Sequence, residues 1–438
     1  MKTKNMVEGN PMSLIFFFSL PLMFGNLFQQ LYTVMDTIIV SQKLGTSALA
    51  AIGSVDWINW LGFGVVTGFA QGFAIRVAQA FGNGKQEKLN DAISSMLISC
   101  LLVAVVSVIF SVPFLSWILK VMHTPQDVYS MASTYVHIIY LGLPVTMFYN
   151  CYAGILRSLG NSKAPLNAMI LASLLNIGLD VLFVMGLNRG VGSAALATLI
   201  AQLFAGVYCW FVFRSIKEIS VSSVSTNKED YVENIKLGAP MALQNTLISI
   251  GGMVLTSVVN QFGTNFLAGF TAVNKLYGLL EVAAVSYGYA MVTYTGQNYG
   301  AGKIERIKKG VRAGFLISVL TSLLVGLILL VFGQQILTFF IKENEEALQV
   351  GWTFLRIMAI CLPILYLLHM YRSVIQGLSD TFIPMISGIF ELIFRIGIAM
   401  FLPLWFGQAG LYPVEVGAWI GADLILIPSY YRKIRKAS

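Results

Sequence analysis

The chain has 438 residues, of which 57% are hydrophobic and only 11% are charged. A soluble domain carries about 25% charged residues, so this composition excludes a soluble globular protein and indicates a chain solvated mainly by lipid. The formal net charge is +8. We do not expect a nucleic-acid partner, because the placement of the basic residues follows membrane topology, as described below.

Twelve apolar segments are long enough to cross a bilayer, which takes about 20 residues. Six fall in each half of the chain, and the first is too long for the apolar region of a secretion signal. The sequence therefore predicts an all-α integral membrane protein with twelve transmembrane helices. The predicted spans are 13–40, 48–75, 89–113, 129–156, 164–186, 191–213, 234–260, 266–296, 311–333, 348–371, 382–405 and 412–431.

The two halves of the chain repeat each other. Gly82–Lys85 recurs as Gly300–Lys303, and we predict that both segments form tight cytoplasmic turns. Pro21 recurs as Pro240, half the chain length later. We call the shift from Pro21 to Pro240 the repeat offset. Because each half holds an even number of spans, both halves enter the membrane in the same orientation, as in secondary transporters built from parallel repeats. The predicted division is an N-terminal lobe over 1–214, a cytoplasmic linker over 215–233 and a C-terminal lobe over 234–438.

Lysine and arginine residues set the predicted orientation. With the N-terminus in the cytoplasm, 21 of the 28 fall in cytoplasmic segments and 4 in outer segments. Arg372, just after the tenth span, counts among the cytoplasmic ones. This bias follows the positive-inside rule, so we expect both termini to be cytoplasmic.

Polar residues inside the spans of the first half are candidates for function. A charge at the bilayer centre costs at least about 2.5–3.5 kcal/mol on insertion scales. Gln29, Tyr32 and Asp36 share one face of the first span, and Asn176 and Asp180 share one face of the fifth. These side chains could give oxygen ligands to a hard cation, or the two carboxyls could share a proton. The alternative is a structural hydrogen-bond clamp between helices.

The polar residues of the first half do not recur in the second. The repeat offset carries Asp36, Asn176 and Asp180 to Leu255, Arg395 and Ala399. Polar contacts that the fold itself requires should tend to recur in both halves. We therefore predict a role in ion coupling that is confined to the N-terminal half. Pro21 removes a backbone hydrogen bond in the first span, which predicts a bend or hinge there.

The second half has a different set of intramembrane charges. Glu391 and Arg395 are four residues apart and form a natural ion pair, which leaves a structural role and a role in the cavity both open. Glu281 in the eighth span is a candidate for substrate or proton contact. No grouping of a nucleophile with a base stands out, so we predict neither enzymatic activity nor a cofactor.

With these residues the chain resembles the multidrug and toxic compound extrusion (MATE) transporters, and the resemblance covers essentially the whole sequence. In its Glu391 and Arg395 pair, the chain is similar to the branch of this family that includes DinF-like and MepA-like bacterial proteins. The motifs that carry the resemblance are Pro21 with Gln29–Tyr32 and Asp36, Gln79–Gly84, Leu175–Asn176 with Asp180, Ala195–Thr198, and Gln297–Ala301.

The resemblance implies two six-helix lobes around a V-shaped cavity in a bacterial inner membrane. It implies a monomer that exports organic cations or other amphipathic small molecules, driven by inward flow of sodium ions or protons. The implied coupling site, with sodium as its possible metal, is Asp36, Asn176, Asp180 and Thr198. The implied substrate cavity takes in Gln29, Tyr32, Glu281, Glu391 and Arg395.

The resemblance also leaves an alternative. Some relatives carry an acid in the seventh span, and residues 237–260 of this chain contain none. Flippases of lipid-linked oligosaccharides belong to the same superfamily but often have extra spans and a cavity rich in arginine and lysine. Away from the span ends, only three basic residues fall within the predicted spans here, namely Lys275, Arg356 and Arg395. The antiporter is therefore the favoured prediction, and the flippase is the alternative.

Overall fold

The computed structural model describes residues 4–122, 124–216, 219, 225, 227–341 and 344–437. In the predicted linker, residues 217, 218, 220–224 and 226 lie outside the described residues. The described chain is helical and contains no strand. The long helices are α1 (Pro11–Gly45), α2 (Ser47–Asn83), α3 (Gln86–Val121), α4 (Gln126–Leu141), α5 (Leu143–Ser158), α6 (Lys163–Gly186), α7 (Val191–Arg214), α8 (Lys228–Phe262), α9 (Thr264–Gly300), α10 (Ile304–Thr338), α11 (Glu345–Gly377), α12 (Phe382–Phe401) and α13 (Val414–Ala437).

Most of these helices are long and apolar enough to cross a membrane. Within the described ranges, ten helices qualify singly, and α4 and α5 qualify together as one span bent by 43°. The twelfth predicted span corresponds to α13, a helix of 24 residues that is less apolar than the others. The chain is therefore a multi-pass membrane protein, and the predicted all-α membrane fold is confirmed.

The repeat is visible in the backbone as well as in the sequence. Apart from Gly9, every described residue with a positive φ has a counterpart with a positive φ in the other half. Residues other than glycine rarely adopt a positive φ, so such positions mark turns. The two Gly-x-Gly-Lys turns predicted from the sequence are among them. The pairs are Gly45 (83°) with Gly263 (91°), Gly84 (77°) with Gly302 (70°), Gly160 (79°) with Ser379 (63°), and Asn188 (51°) with Gly407 (57°).

The helices group into two compact units. The first unit comprises residues 4–5 and Leu20–Leu243, and the second comprises Met6–Ser19 and residues 244–437. The helix α1 therefore begins in the second unit and continues in the first, and α8 begins in the first unit and continues in the second. The predicted lobe boundaries remain a prediction.

In the first unit, the start of α8 is fixed to α2. A Cβ atom added to Gly72 would lie 2.5 Å from the Cα of Gly238, so only glycine allows the two helices to approach this closely. One turn further along α2, a guanidinium nitrogen of Arg76 lies 2.6 Å from Asp230 Oδ1, and its Nε lies 3.0 Å from Glu233 Oε2. Close packing and ion pairs thus hold this helix start in place.

In the second unit, the chain just before α1 is fixed to the end of α9. The backbone N–H of Met6 donates to Gln297 Oε1 at 2.8 Å, and Asn298 Nδ2 donates to the Met6 carbonyl at 3.2 Å. Met6 is completely buried. The Gln297–Ala301 motif therefore holds the chain where it leads into the first helix.

Candidate functional site

The four predicted coupling residues lie on three helices of the first unit. Asp36 is on α1, Asn176 and Asp180 are on α6, and Thr198 is on α7, which packs against α6. All four are buried, and Asn176 and Asp180 are only 1% and 0% exposed. The side chains of Asp36 and Asp180 are close enough to interact directly. The fold thus brings together two acids that are far apart in the sequence.

Most of the carboxyl oxygens in this cluster lack a hydrogen-bond donor among the described residues. Among the described residues, none donates to Asp36 Oδ1 or to either carboxyl oxygen of Asp180, and the Asn176 amide is equally unpartnered. A buried polar atom left without a partner costs about 1–3 kcal/mol. Two adjacent carboxyls without donors are stabilised when they share a proton or bind a cation. The donor set of carboxyl, amide and hydroxyl oxygens suits either a proton or a hard cation.

The number of acids limits which cations fit. No group of three or more His, Cys, Asp or Glu side chains is placed to hold a metal ion in the part of the chain that the structure describes. A cation at Asp36 and Asp180 would therefore draw its remaining ligands from neutral oxygens. Two carboxylates with neutral oxygens suit a singly charged ion better than a transition metal, which prefers imidazole or thiolate ligands.

The backbone of α6 changes directly after Asp180. Over Val181–Gly186 the helix widens to a π-helix, and the N–H of Leu187 donates to the carbonyl of Leu182, five residues back, at 2.9 Å. Such π segments are rare and occur frequently at functional sites. We found no signal of this change in the sequence.

Two further polar residues surround the acids of the first unit. Tyr32 is half-buried, lies near Asp36 and Asp180, and interacts with Gln202 on α7. Gln202 in turn accepts a hydrogen bond of 2.6 Å from the Thr146 hydroxyl. Tyr32 was predicted from the sequence and Gln202 was not, because a single sequence does not show that a residue of α7 lies beside one of α1.

The aromatic and amide neighbours differ in exposure. Tyr135 on α4 is buried and lies near Asp36 and Asp180, and it too was missed from the sequence. Gln29, predicted on the same face of α1 as Tyr32, is exposed. The structure therefore places Tyr32 and Tyr135 beside the acids and leaves Gln29 accessible.

The second unit holds a buried cluster of paired charges. Glu391 and Arg395 on α12 are each 5% exposed. Glu391 accepts from Arg395 at 3.2 Å and from Arg372 on α11 at 2.8 Å. Arg395 also donates to Glu415 on α13 at 2.9 Å. The sequence counted Arg372 among cytoplasmic residues, but α11 continues to Gly377 and buries this arginine within the unit.

A more accessible pair lies in the same unit. His369 Nε2 and Glu281 Oε1 are 3.1 Å apart, and the two side chains are 16% and 29% exposed. Glu281 was predicted as a contact for substrate or protons, and the sequence did not predict its histidine partner. The second unit thus contains one partly exposed acid, Glu281, and one buried acid, Glu391.

A model of the MatE family matches residues 21–182 and 240–401 of the chain. Each end of the second match is displaced from the corresponding end of the first by the repeat offset. The chain belongs to the MatE family. The first match includes Asp36 and Asp180, and the second includes Glu391 and Arg395. The resemblance that the sequence motifs indicated is therefore confirmed.

Known MatE relatives match over nearly the full length. The chain is 25% identical over 436 residues to "Probable multidrug resistance protein YoeA" of Bacillus subtilis (strain 168), covering 96% of this chain and 93% of the relative. It is 25% identical to a solved structure titled as the outward-facing conformation of a multidrug resistance MATE family transporter of the MOP superfamily, with a TM-score of 0.91. It is also 25% identical to a MATE structure in the bent conformation, with a TM-score of 0.88. Each structural match covers 100% of this chain and 99% of the other.

Proposed function

We propose that this protein exports amphipathic and cationic small molecules from a bacterial cell in exchange for inward sodium ions or protons. The relatives that match nearly the whole chain are named as multidrug resistance proteins, which supports drug-like substrates. The same names do not favour the alternative of a lipid-linked oligosaccharide flippase. The basic residues of the cytoplasmic segments support an orientation with both termini inside the cell.

The observation that carries the proposal is the pair of acids in the first unit whose carboxyl oxygens lack hydrogen-bond donors among the described residues. Asp36 and Asp180 lie side by side, and no described residue supplies a donor to the unpartnered oxygens. Uptake of a single cation, either H⁺ or Na⁺, would remove the repulsion between the two carboxylates. Asn176 and Thr198 would complete the ligand set with neutral oxygens. The cluster therefore has different stable arrangements with and without the ion.

Ion uptake must change the shape of the protein in order to drive export. A ligand shifts a conformational equilibrium only to the extent that it binds the two states with different affinity. Asp36 lies on α1, so a change in its contacts acts directly on that helix. Pro21, which has no N–H, lies on α1 just after Leu20, the residue at which this helix enters the first unit.

We propose that Pro21 is the hinge of α1. All backbone angles of α1 are helical up to Gly45, so the helix is continuous through the proline in this structure. A missing backbone hydrogen bond makes this position easier to bend than its neighbours. The relative in the bent conformation supports the idea that helices of this family take more than one shape.

We propose that Gln29 and Tyr32 are the substrate contacts of the first unit and, taken separately, that Glu281 is a substrate contact of the second unit. Gln29 is exposed and Tyr32 is half-buried, and Glu281 is the most exposed of the predicted acids of the second unit. Glu391 and Arg395 are buried and paired, so their contribution is to hold α11, α12 and α13 together, and α11 carries His369, the partner of Glu281. A half-exposed carboxylate and a tyrosine ring both favour a cationic, aromatic compound.

Transport by purified protein in liposomes tests the proposal. Sodium and proton gradients are imposed separately, and efflux of a panel of cationic dyes is measured for the wild type and for Asp36→Asn. We expect one of the two gradients to drive wild-type export, and Asp36→Asn to lower the driven rate by at least about tenfold, a loss of roughly 1.4 kcal/mol of coupling.

The matched control is Asp127→Asn, which neutralises an exposed acid on α4. This variant should export at the wild-type rate. Asp36→Asn protein that exports dye as fast as the wild type under both gradients would contradict a coupling role for the cluster. Export by the wild type without any ion gradient would contradict the antiport proposal as a whole.

A further inference from the structure

The last long helix carries a buried acid that the roles described above do not use. Asp423 lies on α13, is 8% exposed, and its Oδ1 has no hydrogen-bond partner among the described residues. We propose that Asp423 is a proton-binding residue of the second unit and that its charge determines which carboxylate Arg372 pairs with. The consequence for transport rests on the proposed function, whereas the proton binding itself does not.

The arginines near Asp423 already have other partners. Arg372 donates to Glu391 Oε2 at 2.8 Å. With the Gln244 amide turned so that its oxygen faces the guanidinium, Arg372 also donates to it from Nε at 2.7 Å and from a terminal nitrogen at 3.2 Å. The second arginine, Arg395, donates to Glu391 and Glu415. Two permanent positive charges are therefore matched by two carboxylates.

Asp423 is a further carboxyl beside one of these arginines, Arg372. It lies within electrostatic range of Arg372 and of Glu391. A carboxylate at this position would be a buried negative charge without its own counter-ion, which is strongly unfavourable. Proton binding by Asp423 removes that charge. Alternatively, Asp423 takes Arg372 away from Glu391, and the proton then moves to the acid that has lost its partner.

The two arrangements differ in which carboxylate holds Arg372, so the proton and the side-chain positions are linked. Arg372 is on α11, Glu391 is on α12 and Asp423 is on α13. A change of partner would therefore alter the connection between three helices of the second unit. The first unit has its own acids on α1 and α6, so the two events take place at separate sites.

Other ionisable groups face this region and must be controlled for. His369 is paired with Glu281 at 3.1 Å. The neighbouring groups are His369, Tyr371 and Arg372 on α11, Glu391 and Arg395 on α12, Glu415, Tyr430 and Tyr431 on α13, Tyr277 and Glu281 on α9, and Arg312 on α10.

The internal repeat indicates that packing does not require an acid at this position. The counterpart of Asp423 at the repeat offset is Phe204 on α7, which is 43% exposed. The fold therefore accepts an apolar side chain at the equivalent place in the first half. An acid that is buried and lacks a hydrogen-bond donor at Oδ1 is better explained by proton binding than by a demand of the helix packing.

Infrared difference spectroscopy of the full-length protein in liposomes tests proton binding directly. The carbonyl stretch of protonated carboxyl groups is followed while the pH is changed, with no substrate and no ion gradient. We expect Asp423→Asn to remove the signal of about one titrating carboxyl per chain, and Asp423→Glu to retain it at a shifted frequency. His369→Gln should leave the carboxyl signal in place, and the surface control Asp127→Asn, which removes an exposed carboxyl, should leave the signal of the buried carboxyls in place.

A spectrum of Asp423→Asn with the full wild-type carboxyl signal would overturn the proposal. If Asp423→Asn does not fold, Asp423→Ser offers a smaller neutral side chain for the same comparison. Loss of the signal in Asp423→Asn and in Asp423→Ser, together with its retention in Glu391→Gln, would assign the proton to Asp423. Because this measurement needs no transport, its result stands even if the chain exports none of the dyes. In transport, Asp423→Asn should weaken the dependence of export on internal pH, whereas Asp36→Asn should lower gradient-driven export by at least about tenfold.

Discussion

In the first unit no described residue forms an ion pair with the buried acids Asp36 and Asp180, whereas in the second unit Glu391 is held by both Arg372 and Arg395. The helices that carry Asp180 and Glu391 are equivalent, because the first residues of α6 and α12 are counterparts at the repeat offset. Asn176 and Arg395 are direct counterparts as well. The same position thus carries a neutral amide beside unpaired acids in one unit and a guanidinium beside paired acids in the other.

This difference separates two uses of buried charge. A carboxylate with fixed positive partners is already neutralised and gains little from binding an ion. Carboxyls without such partners depend on an ion or proton from outside, so their environment changes when that ion enters or leaves. We therefore expect substitutions in the second unit to act mainly on stability and substitutions in the first to act mainly on transport.

The largest effect is expected for Arg395→Met. The change removes one partner from both Glu391 and Glu415 and leaves buried negative charge uncompensated, which typically lowers the free energy of unfolding by about 3–5 kcal/mol. Unfolding of the purified protein in detergent, followed by tryptophan fluorescence against denaturant, measures it. The double variant Arg395→Met with Glu391→Gln should recover part of the loss. A change of less than about 1 kcal/mol for Arg395→Met would mean that the pairs do not stabilise the unit.

A smaller effect on stability but a large effect on transport is expected for Asp180→Asn. The change removes one of two adjacent acids without breaking an ion pair, so the free energy of unfolding should stay within about 1 kcal/mol of the wild type or rise. Export driven by the ion gradient should fall by at least about tenfold. The same unfolding and liposome assays apply. If Asp180→Asn destabilised the protein as much as Arg395→Met, the contrast between the two units would be lost.

The sequence predicted the fold well because the relevant signals are local or periodic. Apolar length located the spans, and recurring prolines and glycines located the repeat, which the double match to the family model confirms. Gly84 and Gly302 could be assigned to turns because a left-handed backbone favours glycine. The helices are longer than the predicted apolar segments, because α2 and α11 continue past those segments into polar residues.

The site was only half predictable for the same physical reason. Asp36, Asn176 and Asp180 stood out because a carboxylate in an apolar span is costly wherever the helix packs. The Glu391–Arg395 pair was predicted from its spacing, but the second partner of Glu391 was missed, because Arg372 falls just after an apolar segment and its pairing depends on how α11 packs against α12. The His369–Glu281 pair joins residues 88 positions apart, which no spacing rule connects.

The smallest effects are expected at the two prolines, and they test whether the contrast extends to the helices themselves. Pro21 in α1 and Pro240 in α8 are counterparts in the repeat, and each lies near the residue at which its helix changes unit. Alanine at either position restores one backbone hydrogen bond, worth about 0.5–1.5 kcal/mol. Only α1 also carries an acid of the coupling cluster, because the counterpart of Asp36 in α8 is Leu255.

Pro21→Ala should therefore slow gradient-driven export by about 3–10-fold, while Pro240→Ala changes it by less than about twofold. The reason is that a stiffer helix slows export only where ion binding has to bend that helix. Both variants are compared in the liposome assay, with unfolding measured alongside to show that neither has lost its fold. Equal slowing by the two variants would indicate that both helices bend during transport and that the hinge is not specific to the unit that binds the ion. Slowing by Pro21→Ala alone would link the unpaired acids of the first unit to the motion of their own helix.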